Sequence, residues 1–130
     1  MIMLITLIVV IGLSVLILGH ELGHFAVAKW FRMRVDEFGF GFPPKIFGWR
    51  PFDRIRNKPS ETTYSLNWLP FGGFVKIAGE NPLEGNKEID QEERKRLFSF
   101  RPAWQRVLVI VAGVLANFIL GWWLLSAALF

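Results

Sequence analysis

The first thirty residues, Met1-Ile-Met-Leu-Ile-Thr-Leu-Ile-Val-Val10-Ile-Gly-Leu-Ser-Val-Leu-Ile-Leu-Gly19-His20-Glu21-Leu22-Gly23-His24-Phe-Ala-Val-Ala-Lys29-Trp30, decide the fold class. No charged side chain occurs from Met1 to Gly19, a run long enough to cross a bilayer as a helix. A cleaved leader would need a basic start, a shorter apolar core and a small-residue cleavage site, so the run reads as a permanent helix over residues 1–30. Lys29 and Trp30 place a cation and an aromatic ring where such a helix meets the membrane interface.

Moving outward, Val107 to Phe130 is a second uncharged apolar run, preceded by Pro102, Trp104 and Arg106, which predicts a second membrane helix over 104–130. The composition agrees: 52% of the 130 residues are hydrophobic, too apolar for an ordinary soluble domain of this size. The 13 Phe and 6 Trp exclude disorder, and the absence of cysteine excludes a disulfide-stapled secreted module.

All 15 Lys and Arg lie between Lys29 and Arg106, and the net charge of +4 belongs to the middle of the chain. Excess Lys and Arg next to membrane helices mark the cytoplasmic side, so the central segment is expected in the cytoplasm, with both termini opposite it. The partner implied is the lipid bilayer. A nucleic-acid partner, which would call for a basic face on a soluble fold, is not expected.

Within that middle, Phe38, Phe40 and Phe42 alternate with glycines up to Pro43-Pro44, and Tyr64, Leu66 and Trp68 alternate with polar residues up to Pro70 and Gly72-Gly73. Both patterns have the two-residue period of strands, and Phe74 to Ile77 suggests one more. A membrane-associated β-loop over 31–79 is expected, as a small antiparallel hairpin or sheet on the cytoplasmic membrane surface. Residues 80–103 read as a charged connector, with turns at Asn81-Pro82 and Gly85-Asn86 and a charged helix from Ile89 to Phe98. The fold class is thus membrane α-helical, two transmembrane helices flanking this central segment.

The only two histidines stand at His20 and His24 and fit His-Glu-x-x-His. Residues i and i+4 share a helix face about 6 Å apart along the axis, so both imidazoles can reach one zinc ion. Glu21 is then placed beside the metal, where it can take a proton from the water that zinc acidifies and pass it to the leaving amine of a cleaved peptide. A charge deep in a bilayer costs about 2.5 to 3.5 kcal/mol on insertion scales, so this cluster needs a compensating partner. Helix-to-helix hydrogen bonding is the plainer alternative, but it requires no such residue order. A metal-ion transporter would need more polar residues spread over several spans.

Three stretches in order resemble the site-2 protease family of intramembrane zinc metalloproteases, peptidase family M50, especially its bacterial members that cleave membrane-bound anti-sigma factors. They are Gly19-His20-Glu21-Leu22-Gly23-His24-Phe25, Leu69-Pro70-Phe71-Gly72-Gly73-Phe74-Val75-Lys76, and Arg101-Pro102-Ala103-Trp104-Gln105-Arg106 leading into Ala112-Gly113 and Ala116-Asn117-Phe118. The resemblance implies a multi-pass protein of the bacterial cytoplasmic membrane, with a transmembrane protein as substrate. It makes His20 and His24 ligands of Zn2+ and Glu21 the general base. The β-loop, with Gly72, Gly73 and Phe74, would engage an extended substrate by strand addition or, alternatively, cover the mouth of the site. Asn117 reads as a bond to substrate backbone or as a contact between helices.

The family's third ligand, an Asp in a Leu-Asp-Gly motif on a later helix, has no counterpart: Asp36, Asp53 and Asp90 all lie in the polar middle. Val114 stands where the family has proline, and a PDZ-type domain is absent. These departures imply a single peptidase-type domain incomplete at its C-terminus, the N-terminal portion of a longer enzyme. A catalytically silent membrane protein that binds partners through its β-loop is the competing reading.

Overall fold

The computed structural model describes residues 1–81 and 88–130. The turns expected at Asn81-Pro82 and Gly85-Asn86 fall largely outside the described residues. A 29-residue helix α1 (Ile2–Trp30) and a 27-residue helix α3 (Ala103–Leu129) stand at the two ends, and both are long and apolar enough to cross a membrane. The polar side chains in the N-terminal half of α1 are satisfied within the helix: Thr6 donates to the Ile2 carbonyl and Ser14 to the Val10 carbonyl. That back-bonding leaves α1 no need of water there.

Between the helices run β1 (Val35–Trp49), β2 (Phe52–Asp53), β3 (Lys58–Pro59) and β4 (Thr63–Ile77). β1 and β4 pair as an antiparallel sheet, and β2 with β3 as a separate short ladder. Each long strand bends back on itself. Residues 35–40 pair with 73–77, while Phe38, Gly39 and Phe40 also partner Tyr64, Ser65 and Leu66, which in turn face Gly48 and Phe47. The two chains therefore lie as four neighbouring segments, in the order 73–77, 35–42, 63–69 and 45–49.

The prolines and glycines expected to end strands sit inside them. Pro43-Pro44, joined by a cis bond, occupies the bend of β1, and Pro70 with Gly72-Gly73 the bend of β4. Bends need exactly such residues: Pro gives up a ladder donor at no loss where the register shifts, and Gly41 and Gly72 take positive φ values of 77° and 65°. Asn67, buried, ties the bends together by donating from Nδ2 to the carbonyls of Phe40 and Gly41. Thr62, fully buried, donates to the Val35 carbonyl.

The sheet reaches far along α1 from its polar end. Its tip packs along the apolar half of that helix, where Phe40, Pro70 and Phe71 share a cleft with Leu7, Val10, Ile11, Ser14, Val15 and Leu18. Ser14 is 16 residues from Trp30, about 24 Å along the axis. Phe40, Phe42, Leu69 and Phe71 dress the tip in apolar side chains, and the ladder pairs its backbone, the two conditions for non-helical chain beside an apolar helix.

At the other end of the sheet, Ala28, Met33, Val35, Ile77 and Val109 form the core, packed by Phe25, Phe31, Val75 and Phe98. The chain leaves α1 through Arg32, whose φ of 56° is the left-handed turn that ends many helices, with the Met33 amide bonded to the Ala28 carbonyl. The charged helix expected over Ile89–Phe98 shrinks to one turn, α2 (Gln91–Arg94), followed by a 3-10 turn at Phe98–Phe100. Leu97, 2% exposed, must point into the core, and its neighbours bond to the residues flanking the sheet: the Arg34 amide reaches the Arg96 carbonyl and the Phe98 amide the Ala78 carbonyl.

Candidate metal centre

α1 and α3 cross in close contact because both carry small residues at the interface. A side chain added to Gly23 would collide with the Ala112 carbonyl and the Ala116 methyl, and one at Gly19 would meet Leu120 and Asn117. Such faces let two apolar helices approach until dispersion contacts hold them. On α1 the same face carries His20 and His24, so the small residues bring α3 up against the imidazoles. Gly113 is the point of contact: a Cβ there would lie 2.6 Å from His24 Cε1 and 2.8 Å from His20 Cε1.

The two rings stand edge to face with centroids 4.5 Å apart. The nearest ligand atoms of His20, Glu21 and His24 all lie within 4.8 Å of one another, and all three residues are half-buried. Nδ1 of His24 is 2.7 Å from the carbonyl oxygen of Val109. A carbonyl can only accept, so Nδ1 carries a proton, and in the neutral ring that leaves the Nε2 lone pair free for a metal. This is the outer hydrogen bond that metal-bound histidines characteristically make. The donor set and the wall at Gly113 therefore fit a small divalent cation of zinc's preferences, with two imidazole nitrogens and a carboxylate beside them.

A cavity of about 380 Å³ opens beside the cluster, lined by Glu21 and His24 from α1, by Phe74, Val75 and Ile77 from β4, and by Glu80, Phe98, Val109 and Ile110. Of the remaining residues singled out in the sequence, the structure brings Phe74 to this cavity. Gly72 and Gly73 pack on α1 instead, against Ile17 and Leu18. Asn117 lies one helical turn from Gly113, beside Gly19, with a buried Oδ1 that has no hydrogen-bond partner among the described residues. Gly113, with Ala112 and Ala116, belongs to the third sequence motif, whereas Val109, Glu80 and Phe98 were not singled out. For Val109 a signal existed: Val109, Gly113 and Asn117 recur every four residues, with Ala112 and Ala116 beside them, which marks one face of α3. Glu80 and Phe98 reach the cavity only through long-range folding of the connector.

Residues 8–130 match the sequence model of Peptidase family M50. The chain is 42% identical over 110 residues to a protein of Thermotoga maritima that bears the name "Putative zinc metalloprotease", covering 85% of this chain and 20% of that protein. Proteins given the same description in Fusobacterium nucleatum and Clostridium perfringens are 40% identical over 119 residues and 42% over 110, covering 92% and 85% of this chain and 30% and 28% of theirs. The chain thus spans less than a third of the length of these curated relatives. With a match running through both terminal helices and the sheet, the chain belongs to peptidase family M50.

Proposed function

We propose that this chain carries the zinc-binding segment of an intramembrane metalloprotease of the site-2 type, which hydrolyses a peptide bond in or near the membrane segment of a protein substrate. The observation that carries the reading is the gathering of His20, Glu21 and His24 on an apolar helix, with His24 Nδ1 committed to Val109 and Nε2 thereby free. His20 and His24 would hold the metal. Zinc, when bound, supplies an acidified water able to attack a peptide carbonyl. Glu21, on the cavity side, accepts the proton from the attacking water and returns it to the departing amine. With Glu21 acting as base, a third protein donor is required, and it is proposed to come from outside these 130 residues.

The substrate must be extended to be cut. Phe74, Val75 and Ile77 border the cavity, so an extended peptide lying there could add to β4 by main-chain hydrogen bonds. Phe74 would contact it directly, while Gly72 and Gly73 position the strand by fitting closely to α1. The chain would belong to a multi-pass protein of the bacterial cytoplasmic membrane, and the Lys and Arg beside its two apolar helices favour a cytoplasmic central segment. The bilayer, and not nucleic acid, is its partner besides the substrate.

The test uses a full-length enzyme containing this segment, reconstituted with a transmembrane substrate. Glu21→Gln should abolish cleavage and leave zinc content unchanged, whereas His20→Ala and His24→Ala should lose both. Retained cleavage in the Glu21→Gln protein overturns the assignment. The competing reading, a silent relative that acts by binding partners, predicts no stoichiometric zinc in the unmodified full-length protein.

A further inference from the structure

A second cavity lies away from the histidines, where the polar end of α1 meets the β2–β3 hairpin and the connector, and it encloses about 140 Å³. Five cationic side chains line it: Lys29 and Arg32 at the end of α1, Arg56 and Lys58 on the hairpin, and Arg96. Among the described residues the carboxylates there are those of Asp53 and Glu61, which leaves a local excess of three positive charges.

The carboxylates are already committed. Glu61 accepts from Arg96 and is also 3.8 Å from Lys29. Asp53 Oδ1 accepts the amides of Ile55 and Arg56, which shapes the hairpin turn, and its Oδ2 is 3.7 Å from Arg56 Nε. The side chains of Arg32 and Lys58 have no ion-pair partner among the described residues. Arg32 is nevertheless held in place. Its left-handed backbone is fixed by its own carbonyl, which accepts from Arg96 Nε at 3.3 Å and Arg101 Nη2 at 3.2 Å.

Like charges gathered in a partly enclosed space repel, and the turn at Arg32 and the β2–β3 hairpin bring them together there, so the site is complementary to an anion the chain does not itself supply. The Arg32 fork and the Lys58 ammonium, together with the N–H groups that Arg56 and Arg96 do not give to Asp53, Glu61 and the Arg32 carbonyl, suit the oxygens of a phosphate group. We propose that this cavity binds a phosphate-bearing anion, and its place beside Trp30, at the membrane-interface end of α1, makes an anionic phospholipid headgroup the direct source. Only this lipid source depends on α1 lying in a membrane; the phosphate chemistry, and the whole site, are independent of peptide hydrolysis. A bound headgroup would fix the depth of α1, and with it that of His20 and His24, relative to the interface.

The experiment uses the purified 130-residue protein in detergent micelles, loaded with phosphatidylglycerol or phosphatidylcholine and read by native mass spectrometry for retained lipid. The variants are Arg32→Gln with Lys58→Gln, Lys58→Gln alone as a change confined to the exposed hairpin, and Arg50→Gln with Arg54→Gln, which removes the same charge outside the cavity. At about one kcal/mol per cation, the first pair should weaken phosphatidylglycerol retention about thirtyfold and Lys58→Gln alone about fivefold, with Arg50→Gln plus Arg54→Gln unchanged. Titration with inorganic phosphate separates the sources. Retained phosphatidylglycerol that phosphate does not displace assigns the site to a headgroup; phosphate binding with the same dependence on Arg32 and Lys58 assigns it to a soluble phosphate. Equal retention of both lipids without phosphate binding, or equal losses in the control pair, overturns the proposal.

Discussion

His24 donates from Nδ1 to the main-chain carbonyl of Val109, 2.7 Å away and 85 residues distant in sequence, so the tautomer of a neutral imidazole on α1 is selected by the backbone of α3. No side chain at position 109 can replace a carbonyl; what keeps it in place is the close approach of the two helices. On the proposed reading, the helix interface, as much as the His-Glu-x-x-His order, would set metal affinity.

Gly113 gives the sharpest test. In Gly113→Val the added atoms would fall within 2.6 to 2.8 Å of the His24 and His20 rings, turning them out of position. Zinc affinity should fall about 10- to 100-fold, the range seen when groups that orient ligands are disturbed. Competition with a chromophoric chelator measures it, and Gly121→Val, where a side chain meets open space, should leave affinity unchanged.

Gly23 reports on the interface without touching a ring. Gly23→Val drives a side chain into the Ala112 carbonyl and the Ala116 methyl, and should destabilise the helix pair by about 1 to 3 kcal/mol. Denaturation in mixed micelles checks the value, and zinc affinity should drop in parallel because the Val109 carbonyl moves away from His24.

Asn67 holds the bent sheet. Replacing it by Ala leaves the Phe40 and Gly41 carbonyls without the side-chain donor, at a cost of about 1 to 3 kcal/mol for the buried group. The loss should be local: limited proteolysis should cut between 40 and 72 faster, while the α1–α3 pair and its zinc affinity persist.

Glu61 predicts a pH dependence. Burial by itself would raise its carboxyl, but the hydrogen bond from Arg96 and the charges of Arg96, Lys29 and Arg56 outweigh that and hold it below its ordinary 4.5. A carboxylate depressed in the folded state stabilises the fold above its unfolded value and ceases to do so as pH falls through the lower folded one. Stability should therefore decline below about pH 4.5, and Glu61→Gln should flatten that acid limb, as read from unfolding midpoints between pH 3 and 6.

What the residues by themselves determined is what local periodicity can encode. The two apolar runs announce long helices because composition and length alone decide that, and His20 and His24 share a face because four residues make about one helical turn. The strand alternations at Phe38–Phe42 and Tyr64–Trp68 are equally local. What only the tertiary structure decided depends on contacts far apart in the chain. Pro43-Pro44, Pro70 and Gly72-Gly73 look like strand ends, yet the partner strand stays within reach across each bend, so the ladder continues through them. The charged stretch after Ile89 has the composition of a helix, but burial of Leu97 against the core breaks it after one turn. The proton on His24 is set by Val109 and the space around both rings by Gly113, because a tautomer and a cavity wall are properties of neighbours in space, which no run of adjacent residues specifies.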